Sequence, residues 1–244
     1  MPYKPHHAFS YAFICFDSYS EIYANTTNNE YNLTDRLKIV AQKIDQLASQ
    51  NSTIDFMLSQ LLSAIPMQGA IFIYNELYKH FPTNKQTYYR MIHDCGNIIS
   101  STRQALFDDI YLKYGYNPSP QNNTVRKGSA LLKKMMIEKD ISVNSHSYTI
   151  TRLIRLHILL SGFLYSLRNR TMHGDSLSTT KSSKTNLKRY ALNYYAFLSQ
   201  YCICILMLTD QSGIPDKAAK YNEIAREMVT NIENMKSLFG NNMG

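Results

Sequence analysis

The fold class is decided by residues 35–48, which read DRLKIVAQKIDQLA. The apolar positions of this stretch are spaced by three or four residues: Leu37, Val40, Ala41, Ile44 and Leu47. This spacing places side chains on one face of an α-helix. Asn32 and Thr34 precede the stretch, and both residue types are favoured where helices begin. The stretch therefore predicts an amphipathic helix that buries one face.

The same period recurs along most of the chain. Further helices are predicted at 52–65, 67–81, 83–114 with an interruption near Gly96, 124–139, 147–167, 186–208 and 215–239. Pro66 and Pro82 mark two of the helix ends, because the residue before a proline disfavours helical geometry. Alternation typical of a strand is weak and confined to residues 8–16. The predicted fold class is all-α, a helical bundle.

Composition excludes several classes of protein. The 244 residues are 44% hydrophobic, which excludes general disorder, and only nine glycines and seven prolines argue against a turn-rich β protein. The longest apolar run, Tyr201 to Leu208, is too short to span a bilayer. The four cysteines match neither a zinc framework nor a redox pair. We expect a cytoplasmic protein with reduced thiols, no membrane span, no metal and no cofactor.

The net charge of +8 is concentrated in one part of the chain. Residues 126–190 hold 13 basic and 3 acidic side chains, whereas the segments on either side each carry one excess negative charge. A focused basic region favours a polyanion as partner. A solvated basic face without a ligand is the alternative.

One segment inside the basic region carries a recognisable motif. Residues 167–175 read LRNRTMHGD, so that Arg168 and Asn169 are followed by His173 and Gly174. This pattern, Arg-Asn-x-x-x-His, resembles the signature of HEPN domains, over about residues 146–208. The resemblance implies a helical bundle of HEPN type with additional N- and C-terminal helices. It divides the chain into an N-terminal helical segment (1–82), a core (83–212) and a C-terminal helix (213–244).

The resemblance also implies an activity. HEPN domains with this motif include metal-independent endoribonucleases that act as homodimers, among them toxins and antiviral defence effectors, some with a partner antitoxin. By this likeness Arg168, Asn169 and His173 are the catalytic residues, and attack by the RNA 2′-OH leaves a 2′,3′-cyclic phosphate. The residue types suit the chemistry, because histidine exchanges protons near neutral pH and arginine binds phosphate in a fork.

Other basic residues are candidates for contacts with RNA: Arg170, Lys181, Lys184, Lys188 and Arg189, with Arg126, Lys127, Lys133 and Lys134 as a possible extension. The family's toxin branch carries a modified tyrosine two residues after the histidine. Asp175 stands at that position here, so the sequence does not predict that form of regulation.

Two alternatives to an enzyme stay open. The chain can be a non-catalytic helical module that binds RNA, a nucleotide or a partner protein. It can also be a structural helical protein in which the arginines only complement a helix C-terminus. The loose form of the motif occurs a second time, as Arg152 and His157. Residues five apart on one helix point about 140° apart, so we expect that pair not to converge.

Overall fold

The computed structural model describes residues 5–24, 32–83, 86–119, 123–172 and 187–244. Within these ranges the chain is helical apart from one two-stranded hairpin and short loops, which confirms the all-α fold class. The weak strand predicted at 8–16 is wrong, because these residues lie inside the first helix, α1 (Pro5–Ala24). Phe9, Phe13 and Phe16 are buried at the spacing of a helix face.

The next three helices are α2 (Leu33–Gln50), α3 (Ser52–Ser63) and α4 (Met67–Tyr78). The side chain of Asn32 caps α2, and that of Asn51 caps α3 by accepting hydrogen bonds from two backbone amides of its first turn. The apolar face predicted for residues 35–48 is buried, which confirms the prediction of an amphipathic helix.

The predicted long helix over 83–114 is interrupted at the expected place. Its described parts are α5 (Gln86–Ile92) and α6 (Ser101–Tyr114), and Gly96 between them has a φ of 76°, a left-handed conformation that favours glycine. Helix α7 (Thr124–Met135) follows, and it ends four residues before the predicted end at 139.

A short hairpin takes the place of the start of the helix predicted at 147–167. Strands β1 (Asp140–Val143) and β2 (His146–Thr149) pair antiparallel, so the helix predicted to begin at 147 starts later. The two turn residues, Asn144 and Ser145, have φ angles of 50° and 68°. Positive φ at both central residues is the requirement of a tight hairpin turn.

One long helical element then leads to the motif. It consists of α8 (Arg152–His157), a π-helical segment (Ile158–Leu164) and α9 (Tyr165–Met172). In the π-helical segment the backbone amide of Tyr165 bonds the carbonyl of Leu160, five residues earlier. Such a turn takes an extra residue, which changes the direction in which the side chains of α9 point.

The last helices are α10 (Leu187–Gln211) and α11 (Lys217–Phe239). Among the described residues α10 is the one helix long and apolar enough to cross a membrane on its own, and 67% of its most apolar window is buried inside the fold. That degree of burial is typical of the core helix of a soluble protein.

The helices share one hydrophobic core, which runs from Phe9 to Phe239. Helix α1 lies along α10, α11 packs on α3 and α10, and α4 crosses α7. The last crossing is close: a Cβ added at Gly128 would lie 2.1 Å from the ring of buried Tyr74. The N-terminal segment and the motif-bearing helix are therefore held against the same core.

Candidate functional site

Arg168 lies on the side of α9 that faces α1. Its guanidinium carbon is 5.6 Å from the centroid of the Phe13 ring, within the range of a cation–π contact. Its Nη1 donates a 3.1 Å hydrogen bond to Oδ1 of Asn169. In the part of the chain that the structure describes, its buried Nε has no acceptor and its guanidinium forms no ion pair. The charge is therefore oriented but not balanced.

A small cavity of about 130 Å³ adjoins Arg168. Its walls come from α1 and α9: Phe9, Ser10, Phe13, Ile14, Asp17, Ser18 and Thr171. The one carboxylate in these walls, that of Asp17, accepts a 2.7 Å hydrogen bond from Nη2 of Arg36 on α2. Among the described residues this carboxylate therefore pairs with Arg36 and forms no ion pair with Arg168.

Arg170 lies on the opposite side of α9, since two residues on a helix differ by about 200° in direction. Its Nη2 is 2.5 Å from Oε1 of Glu76 on α4, and its guanidinium lies 5.2 Å from the centroid of Phe72. The neighbouring Tyr116 has a raised pKa, chiefly because its hydroxyl is partly buried. The positive charge of Arg170 acts to lower this pKa, and the negative charge of Glu76 acts to raise it. Arg170, predicted as an RNA contact, thus has a carboxylate partner.

The other predicted site residues divide into two groups. Lys188 and Arg189 are exposed on the first described turn of α10, and Lys188 lines a cavity of about 660 Å³. His173, Lys181 and Lys184 lie outside the described residues. Of the predicted catalytic set, the structure therefore describes the contacts of Arg168 and Asn169.

Part of the predicted basic extension has partners within the fold. Nζ of Lys133 donates a 2.8 Å hydrogen bond to the backbone carbonyl of Met243, and burial lowers its pKa. Lys134 pairs with Glu138 at 3.2 Å on the surface of the molecule. Arg126 and Lys127 are exposed at the start of α7. The positive charge of this helix is therefore most accessible at its first turn.

The second match to the loose motif, Arg152 and His157, consists of one residue paired within the fold and one residue buried in the core. Arg152 reaches Asp45 on α2, with 2.7 Å between Nε and Oδ1, and Asp55 on α3. His157 is fully buried, and neither ring nitrogen has a hydrogen-bond partner among the described residues. Burial, with a smaller effect of Arg103, lowers the pKa of His157 to about 3. The expectation that Arg152 and His157 do not converge is confirmed.

The structure reveals an acid–base pair that the sequence did not suggest. Nδ1 of exposed His146 on β2 lies 2.7 Å from Oδ2 of Asp109 on α6, and the hydroxyl of Tyr148 donates to the same oxygen at 2.5 Å. Hydrogen bonds from Tyr148 and His146 lower the pKa of Asp109. The partners are separated by 37 residues, and the missed hairpin is what brings them together.

The described residues include no group of three or more His, Cys, Asp or Glu side chains that could hold a metal ion. Comparison of the chain with family models, with curated proteins and with solved structures finds no match. The chemistry of the site therefore has to be argued from its own residues.

The contacts around Arg168 could not be found from local sequence. Phe13 and Asp17 belong to a helix about 150 residues earlier in the chain, and Phe13 lies within residues 8–16, where the sequence weakly favours a strand. Glu76, the partner of Arg170, is one of several polar residues on α4. No local signal distinguishes these three residues from other helix positions.

Proposed function

We propose that the chain is a metal-independent endoribonuclease of HEPN type, which acts on RNA as a cytoplasmic homodimer. Arg168, Asn169 and His173 are its catalytic residues. The biological role that goes with this activity is that of a toxin or antiviral defence effector, with or without an antitoxin or other partner protein. The single observation that carries the proposal is that Arg168 packs on Phe13 beside a small cavity without a carboxylate partner among the described residues.

Arg168 differs in its partners from two other arginines of the same helical element. Arg152 and Arg170 are each paired with a carboxylate, which offsets the cost of removing their charge from water. Arg168 is partly buried, packs on Phe13 and has no such partner within the described ranges. A phosphate oxygen is an acceptor that guanidinium groups bind in a fork. The environment of Arg168 therefore supports a role in phosphate binding.

Asn169 supports the same role by positioning. Its Oδ1 accepts a hydrogen bond from Nη1 of Arg168, which restricts the guanidinium to one orientation beside the small cavity. A preorganised charge stabilises a developing negative charge better than a mobile one, because less reorganisation is needed during reaction.

The reaction we propose needs no metal and no water in its first step. A base takes the proton of the RNA 2′-OH, the 2′-oxygen attacks phosphorus, and the bond from phosphorus to the 5′-oxygen breaks. An acid gives a proton to the leaving 5′-oxygen, so the products are a 2′,3′-cyclic phosphate and a 5′-OH. One histidine is poorly suited to both roles in one step, and a homodimer supplies a second His173. Arg168 would stabilise the negative charge that develops on the non-bridging oxygens of the phosphate.

The test is cleavage of a fluorescently labelled RNA in the presence of EDTA. We expect the wild type to cleave and His173→Ala to lose activity by roughly 10²–10⁴-fold, the range that general acid–base catalysis contributes. The matched control is His146→Ala, which removes an exposed histidine with a carboxylate partner but leaves the motif intact. This control should retain activity.

Three results would count against the proposal. The first is cleavage that depends on His146 instead of His173. The second is equal activity of the wild type and His173→Ala. The third is RNA binding that weakens with salt and is never followed by cleavage, which would favour the non-catalytic binding module.

A further inference from the structure

A second site lies on the α4 side of α9. The cavity of about 660 Å³ is an open cleft lined by α4, the loop after α6 and the first turns of α7 and α10. We refer to it as the α4–α7 cavity. Its volume falls within the roughly 300–1,000 Å³ that small-molecule sites occupy. Tyr116 lines this cavity, and the charge of Arg170 on α9 acts to lower the pKa of its hydroxyl. The cavity therefore adjoins the helix that carries the motif.

The charge on the walls of this cavity is positive. Arg126 reaches it from α7 and Lys188 from α10, and neither forms an ion pair in the described part of the chain. No Asp or Glu side chain is among the described lining residues, and Gly244 reaches the rim without pairing with either cation. Two cations on separate walls, with no Asp or Glu side chain among the described lining residues, favour an anionic ligand.

Two helices begin at the same cavity and add to its positive potential. Met67 and Gln68 are in the first turn of α4, and Asn123 precedes α7. The cap residues of these two helices, Pro66 and Asn123, form no side-chain cap hydrogen bond within the described ranges, whereas α2, α3, α6, α8 and α11 are each capped by a side chain. The dipoles of the two helices strengthen the attraction for an anion already drawn there by the cations.

The uncharged part of the walls suits a nucleobase. Gln68, Ile71 and Asn75 form one face of α4, with two primary amides on either side of an apolar side chain. The ring of Tyr116 faces the same cavity, and the side chains of Gln68, Asn75 and Tyr116 make no hydrogen bond with any described residue. Amides pair with base edges, and aromatic rings stack on bases.

We propose that the α4–α7 cavity binds a nucleotide. The phosphate lies at Arg126 and Lys188, and the base lies between Tyr116 and the amides of Gln68 and Asn75. A free mononucleotide and one nucleotide of an RNA strand present this same chemistry. The inference does not rest on the ribonuclease activity, because none of these residues belongs to the proposed catalytic set.

The experiment is calorimetric titration of the full chain with adenosine 5′-monophosphate. Arg126→Glu reverses a charge that lines the cavity, and Lys127→Glu reverses the next charge on the same helix, which is exposed and does not line it. We expect Arg126→Glu to weaken binding by about tenfold or more and Lys127→Glu by less than about twofold. Adenosine and inorganic phosphate should each bind at least about tenfold more weakly than the nucleotide.

A single-stranded RNA of ten nucleotides distinguishes the two sources of the ligand. If the RNA binds and the mononucleotide does not, with the same difference between the two variants, the natural ligand is a strand. Equal weakening by Arg126→Glu and Lys127→Glu, or no binding of either probe, overturns the proposal. Inorganic phosphate that binds as tightly as the nucleotide also overturns it, because the cavity would then be an anion site without a base subsite.

Two further measurements distinguish a loss of nucleotide binding from misfolding of the variant and from failure of the ribonuclease proposal. Circular dichroism and thermal unfolding check that Arg126→Glu is folded, and Asn75→Leu supplies a second variant that removes an amide and keeps the charge. His173→Ala should bind adenosine 5′-monophosphate as tightly as the wild type. Failure of the ribonuclease test with intact nucleotide binding would remove the proposed function and leave this site in place.

Discussion

The two ends of the helical element that spans 152–172 carry the same loose pattern, an arginine followed by a histidine five residues later, in opposite environments. At the N-terminal end Arg152 is paired with Asp45 and Asp55 from two other helices. At the C-terminal end Arg168 has an aromatic ring and an amide as partners, and no carboxylate among the described residues. The first arginine links α8 to α2 and α3, and the second has no ion pair within the described ranges.

The difference teaches that a motif of this kind is best judged by charge balance. A buried or partly buried arginine with carboxylate partners has a structural explanation, which leaves nothing for a ligand to contribute. An arginine packed against the core without such a partner is left with uncompensated charge. The comparison also shows the limit of the loose pattern, an arginine followed five residues later by a histidine, which both ends match. In the sequence the asparagine that follows Arg168 separates them, since a leucine follows Arg152.

The largest effect that separates the two ends is on catalysis. We expect Arg168→Gln to lower the rate of RNA cleavage by about 10²–10³-fold, because it removes charge that stabilises the transition state. Arg152→Gln should leave the activity per folded molecule within about twofold of the wild type. Both variants are compared by initial rates at a temperature at which both are folded. Similar losses in the two variants would remove the functional contrast between the ends.

The second effect is on stability, and here the larger loss is expected at the N-terminal end. Arg152→Gln leaves the carboxylates of Asp45 and Asp55 without their shared cation in a partly buried position. We expect a loss of about 2 kcal/mol in the free energy of unfolding, less than for a fully buried pair. For a protein of this size that corresponds to a decrease of roughly 4–8 °C in Tm. Lys134→Gln, which breaks the exposed pair with Glu138, is the matched control and should change Tm by less than about 2 °C.

Much of the fold could be predicted because helix signals are local. The period of residues 35–48 and the glycine at 96 gave the helix and the interruption that the structure has. The hairpin was missed because each strand has only four residues, with two buried positions, Ile141 and Val143, in the first. Alternation over four residues does not exceed the background of a helix-rich chain.

The environment of the site could be predicted far less. The partners of Arg152 lie 107 and 97 residues away in the chain, and those of His146 come together only because the hairpin folds onto α6. Such contacts depend on tertiary packing, which neither propensity nor spacing encodes. The sequence therefore identified Arg168 as a candidate, but only the packing of α1 against α9 shows that it lies on Phe13 without a carboxylate partner among the described residues.

The third effect is on the pH dependence of stability at the N-terminal end. The pKa of His157 is about 3 in the folded protein and about 6.5 in the unfolded chain, so protonation below pH 6.5 favours unfolding. Stability is therefore complete above pH 6.5 and declines as the pH falls toward 3. His157→Leu should remove this contribution, which we expect to be about 1 kcal/mol between pH 7 and pH 5.5. Urea unfolding at both pH values gives the difference.

The control for this measurement is His80→Leu, which changes an exposed histidine and should keep the pH dependence of the wild type. The charged groups that influence His157 are Arg103, Asp94 and Lys38, and all three are unchanged in both variants. If His157→Leu and the wild type lose equal stability on acidification, His157 is not held neutral by its surroundings, and the environment described for this end of the element is wrong.

The smallest effect is the most diagnostic for the C-terminal end. Arg168→Gln should change the free energy of unfolding by about 0.5 kcal/mol or less, because the loss of one cation–π contact with Phe13 is offset by the removal of an uncompensated charge. The measurement is the same urea unfolding experiment as for Arg152→Gln, so the two ends are compared under one condition. A loss as large as that of Arg152→Gln would show that Arg168 has a structural partner after all. A near-neutral value together with the loss of cleavage would mean that the charge of Arg168 is retained for the reaction, since the folded protein does not need it.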